Sequence, residues 1–141
     1  MEIIELTSEN IEQYVEGCLE TQTHLVSDPS TITAELFQKA AADEAGYLIT
    51  IIDNGRVMGL GIVNRISHPA NVTGYINNIV VHPDARGKGL FKVIMNELER
   101  YAFEEWGCTD IALTCSREPV QMMYERRGYK AKDTKFYLLQ K

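Results

Sequence analysis

Between Tyr75 and Glu97 the chain reads YINNIVVHPDARGKGLFKVIMNE, a β-branched run that meets a glycine-punctuated basic turn and then an amphipathic stretch. This order fixes where a strand stops and a helix begins. Ile76, Ile79, Val80 and Val81 suit a strand, and His82-Pro83-Asp84 ends it, because proline has no N–H for a ladder and fixes its own φ. Leu90, Val93, Ile94, Leu98, Tyr101, Ala102 and Trp106 recur at spacings of three and four, which predicts one helix face running to Trp106. Gly107 suits a left-handed cap after it. Arg86-Gly87-Lys88-Gly89 is thereby placed at the helix amino end.

A helix start carries unpaired N–H donors and the positive end of the macrodipole, and glycines let that backbone approach a ligand closely. From His82 to Lys92, Arg86, Lys88 and Lys92 stand against Asp84 alone, a local charge of 3 − 1 = +2 in a chain whose net charge is −6. A lone Gly-x-Gly would be read as a solvated basic turn. Strand, Arg-Gly-Lys-Gly and amphipathic helix in one register favour a cradle for phosphate.

On these residues the chain resembles the GCN5-related N-acetyltransferases, whose acetyl-CoA signature is Arg or Gln, two residues, Gly, one residue, then Gly or Ala. Arg86-Gly87-Lys88-Gly89-Leu90-Phe91 matches all but the last position. The resemblance implies that backbone amides of Arg86, Gly87, Lys88, Gly89, Leu90 and Phe91 hold the pyrophosphate of coenzyme A. Phe91 departs from the pattern, so its ring must turn away from the ligand or alter how the pantetheine arm lies. Val80, Val81 and Pro83 also fit the pattern before the turn, and Tyr124-Glu125-Arg126-Arg127-Gly128-Tyr129 is similar to the family's later Tyr-Glu-Lys-x-Gly-Phe segment. Two motifs in order are more specific than either alone.

At 141 residues the chain is one domain, 1–141, long enough for a real core. No apolar run approaches the roughly 20 residues of a membrane span, and Met-Glu-Ile-Ile-Glu lacks the basic start of a signal peptide, so a cytoplasmic location is expected. Cys18, Cys108 and Cys115 are odd in number and widely spaced, supporting neither a disulfide framework nor a zinc site. No metal is expected. The acidic balance argues against nucleic acid or an anionic membrane as partner, and it permits a cationic substrate without identifying one.

Elsewhere, Glu2 to Leu6 suits a first strand. Thr7 or Ser8 can cap a helix whose stripe is Ile11, Tyr14, Val15, Cys18 and Leu19. Ser27-Asp28-Pro29-Ser30 breaks the chain, and Thr33 offers a cap for a shorter helix through Ala42. Tyr47 to Asp53 and Arg56 to Arg65 read as strands joined by Asn54-Gly55, a strong hairpin signal. Ser67 to Thr73 reads as a loop, Asp110 to Thr114 as a strand, and Pro119 as the first turn of a helix ending at Gly128. Phe136 to Leu139 is expected to pair as a last strand. Hairpins plus one helical crossover imply an α+β sheet with helices on its faces. The resemblance extends this to a mixed, mainly antiparallel sheet of six to seven strands flanked by about four helices.

Acetyl transfer from a thioester to an amine needs an unprotonated amine, a stabilised oxyanion and a proton for the departing thiolate. The resemblance implies that the strand before the turn splays from its neighbour, so that main-chain groups of Ile79, Val80 and Val81 bind the pantetheine amides. A buried strand with every backbone bond spent in the sheet is the competing reading. Tyr124 is the candidate acid by resemblance, since a phenol's pKa of about 10 lies not far above a thiol's of about 8.5. It can equally be a core ring whose hydroxyl is satisfied by backbone. Relatives often carry a glutamate where this chain reads Ile76-Asn77-Asn78-Ile79, and an amide cannot take a proton at neutral pH. Asn77 and Asn78 are therefore candidates to orient the amine or a water, or to face solvent.

Of the three histidines, His82 is expected to shape the turn or face solvent. His68 and His24 lie in segments that border the substrate cleft in relatives, and none is assigned as the base. Arg117, after Ser116, is a candidate contact for an anionic group or an exposed residue, and Cys115 reads as a small core residue. The expected activity is direct acetyl transfer from acetyl-CoA to a primary amine in a ternary complex, the acceptor a small molecule in preference to a protein. The contrasting reading is a coenzyme-binding sensor that has lost catalysis. A P-loop enzyme is disfavoured because Gly-Lys-Gly lacks the spacing. The chain is expected to be a monomer or homodimer.

Overall fold

A computed structural model describes residues 1–26 and 28–141; Ser27, the first residue of the expected chain break, lies outside them. The elements run β1 (Glu2–Glu5), α1 (Ile11–Gln22), α2 (Ala34–Ala42), β2 (Gly46–Asp53), β3 (Arg56–Ser67), β4 (Val72–Val81), α3 (Leu90–Arg100), β5 (Asp110–Ala112) and α4 (Glu118–Arg126). The sheet order is β1-β2-β3-β4-β5. The first four strands pair antiparallel, and β5 joins β4 in parallel after the α3 crossover.

Local signals set most of these boundaries. Asn54 and Gly55 both take positive φ, 51° and 74°, so the β2–β3 turn twists with its strands and closes on the Asp53–Arg56 pair. The Thr33 hydroxyl accepts the Leu36 N–H at 3.2 Å and caps α2. Neither Thr7 nor Ser8 caps α1. The N-cap position is Asn10, and Thr7 instead opens the preceding turn, its carbonyl accepting the N–H groups of Asn10 and Ile11. The expected single helix to Trp106 ends at Arg100 and widens into one π-helical turn, Tyr101–Glu105, closed by Trp106 N–H donating to the Tyr101 carbonyl. Gly107 follows with φ 65°, as expected. The loop expected over Ser67 to Thr73 is shorter, because β3 continues to Ser67 and β4 begins at Val72.

Two apolar layers sandwich the sheet. On one face Leu6, Ile11, Cys18, Phe37 and Leu60 pack with α1 and α2; on the other, Ile49, Val63, Ile76, Leu90, Ile94 and Leu98 pack with α3, with Tyr124 of α4 in the same cluster. Burial pushes the Cys18 thiol up to about 12, consistent with an inert core residue.

Among the described residues the sheet has five strands where six to seven were expected. Phe136 to Leu139 form no ladder and stand 68–97% exposed. Apolar, β-prone residues make a strand only by pairing with a sheet edge, and among the described residues the tail pairs with none.

Candidate active site: the β4 bulge, the glycine turn and Tyr124

β4 carries the site because its regularity breaks in the middle. Leu60 pairs with Val80 and Ile62 with Asn77, so between these pairs one residue of β3, Gly61, opposes two of β4, Asn78 and Ile79. The extra residue is a β-bulge. Asn78 takes φ 54°, in the left-handed region that asparagine tolerates better than most residues, and its N–H donates to the Asn77 Oδ1 at 2.8 Å. Asn77 and Asn78 are consequently both exposed, which simple alternation forbids. Ile76 and Ile79, three apart, then serve the same α3-side core, while Val80 faces the α1 side.

Two glycines that the sequence reading passed over make room for this bend. A Cβ at Gly61 would lie 2.6 Å from Ile79 Cδ1 and 2.8 Å from Ile94 Cγ2; one at Gly59 would lie 3.0 Å from Ile94 Cδ1 and 3.2 Å from the Val80 carbonyl oxygen. Alternate glycines inside a strand were the available signal, since they mark close approach of another element.

β5 pairs with β4 only through Thr73, Gly74 and Tyr75. Among the described residues, Ile76 to Val81 have β3 on one side and no strand on the other, the expected splay. Main-chain groups of Ile79, Val80 and Val81 thus border an opening rather than a second ladder.

At the end of β4, Pro83–Ala85 make one 3-10 turn and Arg86 returns to extended backbone. Gly87 and Gly89 have φ 81° and 75°, and nothing lies within 4 Å of where a Cβ would be at either. Gly89 is the N-cap of α3. It supplies no side-chain acceptor, and the first turn has no acidic residue, so the positive helix end is uncompensated. Asp84 is occupied by Arg56 at 2.9 Å, and among the described residues no carboxylate pairs with Arg86, Lys88 or Lys92. Exposed glycine backbone, free cations and free amides fit a diphosphate. A pocket of about 460 Å³ lined by Phe91, Lys92, Met123, Arg126 and Arg127 adjoins this turn on the α4 side.

Tyr124 is buried, and its ring meets Phe91 on one side and Tyr129 on the other, with centroids 5.5 and 5.7 Å away. Among the described residues its hydroxyl makes no hydrogen bond, unlike a core tyrosine satisfied by backbone. Burial first, then nearby Cys115, raises its pKa, while Arg127 works in the opposite direction. α4 is held in place by Glu99 of α3, which accepts from Arg127 Nε at 3.3 Å and from the Tyr129 hydroxyl at 2.8 Å. Nothing in the local sequence marks Glu99 for this role.

The remaining candidates fall into place by distance. His82 is buried rather than facing solvent: Nδ1 accepts the Asp84 N–H at 3.1 Å, which assigns the proton to Nε2, 3.0 Å from Glu20 Oε1. It shapes the turn. His24 is exposed and stacks edge-on with His82 at 5.1 Å, whereas His68 lies in the β3–β4 loop, beyond the end of β4 that is away from the glycine turn. Arg117 reaches the Leu25 carbonyl at 3.5 Å, bringing the approach to α4 against the chain after α1. Cys115 is half-buried beside Tyr124, and Ser116 is exposed.

Comparison with known proteins agrees with this geometry. Residues 9–129 match the model of the acetyltransferase (GNAT) family. A Drosophila melanogaster protein named "Probable glucosamine 6-phosphate N-acetyltransferase" is 33% identical over 99 residues, 66% of this chain and 43% of its own length, so the chain spans less than half of that relative. A glucosamine 6-phosphate N-acetyltransferase of Trypanosoma brucei brucei is 27% identical over 127 residues, covering 85% of each. The crystal structure of the Arabidopsis thaliana glucosamine-6-phosphate N-acetyltransferase superposes with a TM-score of 0.80 at 22% identity, over 98% of this chain and 97% of that one, a likeness of fold. By the match over nearly its whole length, this chain belongs to the GNAT family of acetyltransferases.

Proposed function

We propose that this protein transfers an acetyl group from acetyl-CoA to the amine of a small-molecule acceptor by direct attack in a ternary complex. The observation that carries this reading is the uncapped amino end of α3 behind two positive-φ glycines, continuous with the unpaired half of β4 and with Tyr124. Amides from Arg86 to Phe91 would hold the coenzyme diphosphate, with Arg86, Lys88 and Lys92 adding charge. Main-chain groups of Ile79, Val80 and Val81 would hold the pantetheine arm. When bound, the coenzyme supplies an activated acyl thioester.

Tyr124 is assigned as the proton donor to the leaving sulfur. Its raised pKa keeps the phenol protonated at neutral pH, and its hydroxyl is uncommitted. Asn77 and Asn78 stand at the bulge where the acceptor amine would approach, and the bulge spends the Asn77 oxygen internally. That leaves the Asn78 Oδ1 and the side-chain N–H groups of both residues to orient the amine or a water. An alkylamine with a pKa near about 10.4 would be mostly protonated, so an amine of lower pKa suits a site without a carboxylate here. Glucosamine 6-phosphate, the acceptor in the names of the relatives above, is the first amine to test.

The lack of an acid at positions 77 and 78 favours one contrasting reading, a coenzyme sensor without turnover. Thiol release from acetyl-CoA across a panel of amines, with calorimetry of coenzyme A on the same sample, separates the two. Release dependent on one amine class supports the enzyme, binding without release on any amine supports the sensor, and no binding overturns both.

A further inference from the structure

We propose that His82 is a positioning residue that ties the glycine turn to the carboxyl end of α1, so that the segment from Glu20 to Leu25 acts as a strap between that turn and the helix carrying Tyr124. The inference rests on the assignment of the turn to the coenzyme diphosphate.

The His82 ring is 5% exposed, and both of its nitrogens are engaged. Nδ1 accepts the Asp84 N–H at 3.1 Å, and Nε2 stands 3.0 Å from Glu20 Oε1. One proton, on Nε2, satisfies both contacts. The first contact caps the 3-10 turn that leads into Arg86, and the second leaves the sheet and reaches α1. Arg56 of β3 pairs with Asp84 at 2.9 Å and with Glu20 at 3.9 Å, and the His24 ring lies edge-on at 5.1 Å. Around the ring, two carboxylates therefore share one guanidinium, with a second imidazole alongside.

Helix stability does not explain Glu20. It lies in the last turn of α1, which holds no basic residue, and a carboxylate at that end opposes the macrodipole. The helix is nonetheless seated so that Glu20 meets the end of β4. Gly17, one turn earlier, lets α1 lie close on β3, where a Cβ would be 2.7 Å from Val57 Cγ2.

The glycine turn needs such an anchor. Gly87 and Gly89 restrain its backbone little, since glycine populates both signs of φ. α3 fixes the exit of the turn and His82 fixes its entry, with Pro83 rigid between them. A cradle held at both ends meets an anion with less ordering cost. The strap's other end reaches the far side of the site: the Leu25 carbonyl accepts from Arg117 Nη2 at 3.5 Å, immediately before α4. Phe91 against Tyr124 then joins α4 back to α3, closing a circuit of contacts that begins and ends at the turn.

Calorimetry with coenzyme A and hydrogen exchange on the full chain test this. In the parent, coenzyme A should slow exchange at residues 20–25 as well as at 86–91. Glu20→Ala, at an exposed position, removes a charge from the wrong helix end and supplies a strong helix former, so the melting temperature should hold. Its coenzyme A affinity should nevertheless fall about 5-fold or more, the low end of coupling between sites. At saturating coenzyme it should keep the slowing at 86–91 and lose that at 20–25. Glu20→Gln, whose amide oxygen still accepts from Nε2, should bind within about 2-fold of the parent. His82→Asn keeps a cap oxygen for Asp84 but cannot reach α1, and combined with Glu20→Ala it should cost no more than either change alone. The exposed Glu20 variants carry the test if His82→Asn misfolds. Glu20→Ala binding as the parent does, Glu20→Gln as weak as Glu20→Ala, or residues 20–25 slowed equally in parent and Glu20→Ala would each overturn the strap while leaving coenzyme binding in place. A parent that binds no coenzyme A overturns the reading on which it rests.

Discussion

Phe91 and Tyr124 meet edge to face, their centroids 5.5 Å apart and their planes at 63°. Phe91 occupies the position where the GNAT turn pattern has a small residue. Its ring packs against Tyr124 of α4, joining the first turn of α3 to the candidate acid. Such a pair is worth about 0.5–1.5 kcal/mol beyond its buried area. Phe91→Ala should therefore cost about 1–3 kcal/mol of stability, given a half-buried ring. It should lower kcat several-fold while sparing coenzyme affinity, since the Phe91 amide is kept. Chemical denaturation and steady-state kinetics on one preparation check both halves.

Tyr124→Phe removes the hydroxyl and keeps the ring packing. Loss of a general acid typically costs about 10²-fold or more in turnover, and coenzyme binding should be unchanged by calorimetry. The pH profile follows from the direction of the shift. The protonated phenol is the active form, so activity falls as pH rises through its pKa, and burial places that limb above the ordinary value of about 10. An unmodified profile whose alkaline limb persisted in Tyr124→Phe would assign the limb, and the acid, elsewhere.

Gly61 is the position where one methyl group should do the most harm. Its Cβ would sit 2.6 Å from Ile79 and 2.8 Å from Ile94, so either the bulge or α3 must retreat. Gly61→Ala is expected to cost about 1–3 kcal/mol as an overpacked core, and to weaken coenzyme binding by moving β4 relative to the glycine turn. Gly55→Ala, at φ 74° with open space around it, strains the β2–β3 turn without crowding β4 and should leave binding intact.

Acid stability should be set in part at the other end of α3. Arg100 donates to both oxygens of Glu97 at 2.8 Å, and the Tyr47 hydroxyl donates at 2.6 Å. The Arg100 hydrogen bonds chiefly hold the Glu97 carboxyl below its usual range. A depressed carboxylate contributes stability that is full above the unfolded pKa of about 4.3 and is lost as pH falls through the folded value. Glu97→Gln should cost about 1 kcal/mol near neutrality, discounted because Arg100 is exposed. It should also flatten the decline in melting temperature below about pH 4.3; an equally steep decline would place the acid-sensitive group elsewhere.

What the sequence made legible was local. Asn54-Gly55, Thr33, Gly107 and the run from Arg86 to Leu90 each specify their own backbone within a few residues, and each adopts the expected form. The splay after Tyr75 was expected from resemblance and matches the short pairing of β5. What was not legible depends on residues far apart in the chain. The bulge that exposes both Asn77 and Asn78 needs Gly61 opposite it, and the seat of α4 needs Glu99 under Arg127 and Tyr129. The expected final strand failed for a related reason: apolar residues specify that a segment suits a sheet edge, not that it pairs with the edge of its own chain's sheet.

Gly89 allows the charge at the glycine turn to be separated from its backbone. It is the N-cap of α3 and sits at φ 75°, ψ 18°. Aspartate there gains only a few tenths of a kcal/mol over glycine as a helix cap and loses about 1 kcal/mol in the left-handed region. The fold should survive with a melting temperature lowered by a few degrees. Its carboxylate, however, occupies the place of an anionic ligand and cancels the helix end that would attract one, so coenzyme A binding should disappear in calorimetry. Gly89→Asn imposes the same strain and the same cap without charge. It should retain measurable binding, weaker than the parent because a side chain now fills the approach. If both variants bound coenzyme A as the parent does, the diphosphate would lie elsewhere and the assignment of the turn would fail; if both lost it equally, space rather than charge would be the governing property of Gly89.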